Sequence, residues 1–251
     1  APPACPPGAF MYGCGVDQSF RGASLWALDP FDGTGTFVNY LGVEFVDGMD
    51  VDAGGSIRAV GVNFGGDTVL MTIDPCTGTA FEDVVLTGPF NLDPNLGDLA
   101  INPADGSMYW FSDEIPPILA PGPALQHLFS IDDGTGNVSE IEDYDSLLSA
   151  GLSFSANNTL YLAGDSFASP IVATVDTTTG ALTTVAPLNL QAVGPFPFGV
   201  AFVEGMDFIP LTNDLYATVA SFSSGSIGTP VSRLAKIDIA TGNTTYFGSS
   251  G

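Results

Sequence analysis

Ile73-Asp74-Pro75-Cys76-Thr77-Gly78 decides the fold. An apolar strand end runs into an aspartate, two spacer residues, a threonine and a glycine. The pattern returns at Leu28-Asp29-Pro30-Phe31-Asp32-Gly33 and at Ile131-Asp132-Asp133-Gly134-Thr135-Gly136. It returns again over Val175-Asp176 to Thr179-Gly180 and over Ile237-Asp238 to Thr241-Gly242. Alternating apolar residues precede each copy and a Thr- or Val-rich run follows it, which is the signature of two antiparallel strands joined by a tight turn. The aspartate accepts backbone N–H groups at the turn entrance, and the glycine supplies the positive φ that closes it. Repeated carboxylates also suit metal ligation, but a local cap explains them more simply.

Successive aspartates of the repeat lie 45, 58, 44 and 62 residues apart. That period, with four strands per unit, predicts β-propeller blades. Within each unit a strand opens near Gly48-Met49-Asp50, Gly97-Asp98-Leu99, Gly151-Leu152-Ser153 or Gly205-Met206-Asp207. A second strand then carries Arg58, Tyr109, Tyr161 or Tyr216. The expectation is an all-β, five-bladed propeller spanning residues 1–251 as one domain, with a Pro-rich segment at 1–8. Its blades run over about 9–42, 43–88, 96–144, 150–187 and 200–248. The first blade is incomplete. Phe10-Met11-Tyr12-Gly13 matches the Tyr-bearing strand and Ser24 to Tyr40 gives the turn hairpin, but the innermost strand is missing. Ala1 to Gly8 is a poor substitute, because proline lacks a ladder donor. The place is filled by that start or another segment, left open, or completed by a neighbouring molecule.

The chain carries 28 acidic residues against Arg21, Arg58, Arg233 and Lys236, a formal net charge of −24. Phosphate recognition needs clustered Lys and Arg, so nucleic acid is excluded as a partner, and an anionic membrane surface with it. No apolar run reaches the roughly 18–20 residues that span a bilayer. The start at Ala1 reads as a mature product after signal removal, hence extracellular, secreted or at a cell surface. Three exposed-turn sequons, at Asn137, Asn157 and Asn243, are candidate glycosylation sites. Cys5 and Cys14 are close enough to close a small loop by a disulfide, leaving Cys76 as an odd thiol for an intermolecular contact.

Chemistry is sparse. The single histidine, His127, lies in a strand and suits a structural role better than a nucleophile's base. Asp50, Asp98 and Asp207 fall near the start of innermost strands and are candidate Ca²⁺ ligands if they converge in the channel; otherwise each caps its own strand. The once-per-blade tyrosines fit either a sugar-binding surface or interblade packing. Ile115, Ile118 and Leu119, with Phe196 and Phe198, sit in Pro-rich insertions and are candidate partner contacts.

The repeats resemble those of secreted bacterial β-propeller proteins whose blades end in an Ile-Asp-x-x-Thr-Gly hairpin, over residues 9–248. That resemblance implies a rigid extracellular platform and carries over no catalytic residue. The expected function is a non-catalytic structural or cell-surface protein, self-associating through its N-terminal segment or open blade. Alternatives are a propeller that binds glycans and, third, a calcium-dependent propeller hydrolase.

Overall fold

In the computed structural model every described element is a strand. The structure describes residues 11–16, 22–88, 97–114, 125–144, 147–166, 170–190, 201–209, 212–221 and 231–247. Four antiparallel sheets have four strands and one has three. Blade one holds β1 (Met11–Val16), β2 (Ala23–Leu28) and β3 (Gly35–Tyr40). Blade two holds β4 (Phe45–Val51), β5 (Ile57–Val62), β6 (Thr68–Ile73) and β7 (Ala80–Val85). Blade three comprises β8 (Asp98–Ile101), β9 (Met108–Glu114), β10 (Leu125–Ile131) and β11 (Val138–Tyr144). Blade four comprises β12 (Leu147–Phe154), β13 (Leu160–Ser166), β14 (Ile171–Val175) and β15 (Leu182–Pro187). Blade five comprises β16 (Ala201–Ile209), β17 (Asp214–Ser221), β18 (Val231–Ile237) and β19 (Thr244–Tyr246). Together they form a five-bladed β-propeller.

The repeat turns show why the motif recurs. Asp74 Oδ1 accepts the N–H groups of Cys76 at 2.8 Å and Thr77 at 3.2 Å, while the Gly78 N–H returns to the Asp74 carbonyl. Asp29, Asp132, Asp176 and Asp238 make the same two kinds of bond. Gly33, Gly78, Gly136, Gly180 and Gly242 all lie between φ 63° and 75°. A second constraint was not legible in the motif. A Cβ added at Gly78 would sit 2.5 Å from Asn39 Cβ, and one at Gly180 or Gly242 would collide with Glu142 or Pro187 of the preceding blade. These turns are therefore pressed against the outermost strand beside them, and Asn39 Nδ2 and Tyr144 Oη donate to the Thr77 and Gly180 carbonyls across those seams.

Apolar clusters fill the seams between blades. Val60 and Leu70 pack with Trp110 and Phe129 between blades two and three, and Phe111 and Leu128 with Leu152 and Leu162 between three and four. Ala163 and Val172 meet Val203 and Val219 between four and five, and Leu25 meets Ile57 and Met71 between one and two. The remaining seam, between five and one, is thinnest, with Met11, Tyr216 and Leu234 as its buried members among the described residues. Burial falls off toward the rim, where Phe81, Glu82 and Asp83 of β7 are exposed.

The cysteine expectation is corrected. Cys14 is a free thiol, its Sγ 3.4 Å from Met49 Sδ, so the Cys5–Cys14 bridge is not formed. Its strand pairs along β2 and aims the side chain at blade two. Cys76 is half-buried and disulfide-bonded, so it is no spare thiol for a partner. Cys5 lies outside the described residues, as do Ile115, Ile118, Leu119, Phe196 and Phe198. Asn137, Asn157 and Asn243 are all exposed.

Candidate functional site: the channel and the open blade

The innermost strands β4, β8, β12 and β16 line up side by side around the channel. They are held by side-chain oxygens that reach from one blade to the backbone of the next. Asp50 Oδ2 accepts the Ile101 N–H at 2.6 Å. Asp47 Oδ1 accepts the Gly97 N–H at 2.8 Å, and its Oδ2 takes Trp110 Nε1–H at 2.8 Å. Ser153 Oγ accepts the Phe208 N–H at 3.3 Å and donates to Asp207 Oδ1 at 3.0 Å. Asp98 bridges three blades: it accepts from Leu99, Leu152 and Met206, each at 2.9 Å. Bonds of this kind satisfy backbone N–H donors that the pairing within each sheet leaves over.

Strand register revises one sequence alignment. Asp50 faces Arg58, Ser153 faces Tyr161 and Asp207 faces Tyr216, but the residue facing Tyr109 is Ala100. Asp98 instead matches Gly48, Gly151 and Gly205. It is buried two positions earlier, and its side chain crosses toward blade four.

Burial governs the charge state of these groups. It raises Asp47 to about 6, with partial relief from its hydrogen bonds to Trp110, Gly97 and Ser112. Burial likewise raises Asp207 to about 6. Asp50 is raised well above the usual carboxylate range by burial and by facing Asp207, and Asp98 chiefly by burial. Asp50 feels the charge of Asp207 and Asp98 that of Asp50, but the oxygens of all three serve N–H and hydroxyl donors. Among the described residues no group of three or more His, Cys, Asp or Glu side chains is placed to hold a metal. Two of the tyrosines pack between blades, Tyr109 on Phe154 at 5.7 Å and Tyr161 on Phe208 at 5.3 Å. His127 Nδ1 lies 2.7 Å from Glu140 Oε1 of the neighbouring strand in blade three.

Blade one breaks the pattern. Its inner described strand, β1, corresponds to the second strand of the other blades: Met11 faces Leu28 as Ile57 faces Ile73 and Leu215 faces Ile237. No described strand pairs with the other edge of β1. Along that edge runs a cavity of about 650 Å³, lined by Tyr12, Gly13, Cys14, Met49, Asp207 and Tyr216 among others. The missing strand is visible in the sequence as a count; the cavity's lining is not, because it comes from four blades.

No family model and no curated protein matches this chain. Solved structures similar in fold include TolB from Acinetobacter baumannii, at 16% identity and a TM-score of 0.53, covering 96% of this chain and 53% of TolB. The chain therefore spans about half the length of that TolB. A structure from a nidogen/laminin complex matches at 10% identity and TM-score 0.53, covering 95% of this chain and 93% of its own. An exo-beta-1,3-galactanase from Bifidobacterium bifidum s17 matches at 12% identity and TM-score 0.57, covering 95% and 87%. Likenesses this distant establish the propeller fold.

Proposed function

We propose that this protein is a non-catalytic, extracellular structural propeller that builds into larger assemblies by accepting a strand from a neighbouring molecule into its open blade. The observation that carries the reading is the 650 Å³ cavity along the unpaired edge of β1. A strand edge with no partner among the described residues, beside an apolar, walled slot, is the setting for strand addition. Two further features support it. Trp26, Phe37 and Tyr40 form an exposed aromatic cluster on the same blade, with ring centroids 5.4 and 5.1 Å apart. The disulfide at Cys76, the exposed sequons and the strongly acidic composition suit an oxidising, extracytoplasmic medium.

Sedimentation velocity over a hundredfold concentration range tests this reading. Larger species that grow with concentration are the expected result. A single species at the 25.8 kDa of one chain throughout would overturn self-association.

A further inference from the structure

We propose that the open blade reads sequence as well as shape. Its slot selects an extended segment antiparallel to β1 with glycine facing Cys14, an apolar residue facing Gly13, serine or aspartate facing Tyr12, and an apolar residue facing Met11. This rests on the reading that a neighbouring molecule fills the slot, and it names the chemistry of the segment that does so.

Three of the four inner strands already in place, β4, β12 and β16, supply the rule, while β8 departs from it with Asp98 in the glycine position and Ala100 in the oxygen-bearing one. Gly48, Met49, Asp50 and Val51 face Val60, Ala59, Arg58 and Ile57. Gly151 to Phe154 stand in the same register on β13, and Gly205 to Phe208 on β17. In blades two and four the glycine is a steric requirement. A Cβ added at Gly48 would lie 2.5 Å from the Asp98 carbonyl carbon, and one at Gly151 would lie 2.7 Å from the Met206 nitrogen. The backbone of the next blade crosses there, and a strand entering blade one meets blade two in the same way.

The oxygen-bearing position has a receiver. Asp50 and Ser153 each accept the N–H of an apolar residue one blade on, Ile101 and Phe208. For an entering strand the matching N–H is that of Val51, which is meanwhile held at 2.6 Å by the Oδ1 of its own neighbour Asp50. The last apolar position has two receivers. Tyr109 and Tyr161 each pack on the apolar residue at this point of the next inner strand. Tyr216, in blade five, lines the slot where that residue would arrive. Asp207 occupies the position of Asp50, whose carboxylate clips the same residue's N–H, yet the described donor to its side chain from another blade, Ser153, comes from the blade behind it. Glu204 repeats the theme. It is the bulge residue of β16, as Asp47 is of β4, and Asp47 clips the Gly97 N–H of the blade ahead. Glu204 instead accepts from Ser232 within its own blade. Blade five therefore presents a pair of carboxylate clips and an aromatic platform to a strand in blade one.

The test uses a synthetic peptide, Leu-Leu-Ser-Ala-Gly-Leu-Ser-Phe, which copies Leu147–Phe154. It is titrated calorimetrically into the intact protein at concentrations where sedimentation finds single chains. Saturable one-to-one binding is expected, with loss of at least about tenfold in affinity when valine replaces the peptide's glycine. A scrambled peptide of the same composition should bind no better than the valine variant. Asp207→Ala in the protein should weaken binding about tenfold, whereas Asp133→Ala, on an exposed turn, should not. Because the valine and scrambled changes are made in the peptide, the result does not depend on any variant folding. Equal binding of the glycine and valine peptides, or no binding, overturns the rule. Assembly without peptide selectivity would sink the rule and leave the structural reading standing; selective binding by a protein that never assembles would do the reverse.

Discussion

Gly242 and Gly55 both hold a positive φ, at 69° and 83°, but only Gly242 is pressed against another blade. Gly55→Ala meets open space and should lose about 1 kcal/mol from the left-handed backbone alone. Gly242→Ala adds a collision with the Pro187 carbonyl and should lose about 3 kcal/mol, a contrast that urea unfolding of the two variants will measure. The channel carboxylates set a pH dependence of definite sign. An unfolded aspartate titrates near 3.9, whereas burial raises Asp47 and Asp207 to about 6 in the fold. The folded state therefore binds these protons more tightly. Their contribution is fully present below about pH 4 and is lost as the pH rises through about 6. Melting temperature should fall between pH 4.5 and pH 7, and Asp207→Asn should flatten that slope; a stability that climbs over the same interval would contradict the assignment. Cys14, half-buried against Met49 and pushed up to about 12 by burial, should resist alkylation until the protein unfolds. Sequence proximity pointed to a Cys5–Cys14 bridge because a short loop is easily closed; it could not show that β1 is extended and aims Cys14 across the seam.

At the scale of elements, the hairpin turns were fully legible. An aspartate, two spacers, a threonine and a glycine are read locally, and all five turns form as the motif requires. Asp238→Ala removes the carboxylate that accepts the Ala240 N–H and should cost about 1 kcal/mol at that turn, measurable as a shift in the denaturation midpoint. The inner strands were less legible. Gly97-Asp98 resembles Gly48-Met49-Asp50 in the linear sequence, but pairing with β9 shows Asp98 in the glycine position. Its three backbone donors come from β8, β12 and β16, an arrangement no local pattern encodes. Asp98→Leu strands the Leu152 and Met206 N–H groups in a buried setting and should cost about 3 kcal/mol or more, well beyond the loss at the turn.

At the scale of the whole molecule, ring closure is uneven. The seams from blade one through blade five in chain order are filled by clusters that join two blades, while blade five meets blade one through Met11, Tyr216 and Leu234. The count of strands made the gap visible in the sequence, but its walls run from Met11 to Ser232, 221 positions apart. Hydrogen exchange should accordingly be fastest along β1 among the inner-ring strands, and slowest along β12, which is flanked on both sides. The most direct test of the central claim is an electron-microscopy map of assembled protein. The account predicts a fourth strand beside β1, antiparallel to it and contributed by a neighbouring molecule, with its backbone reaching Asp207. Assemblies joined through other surfaces, with the edge of β1 facing solvent, would contradict it.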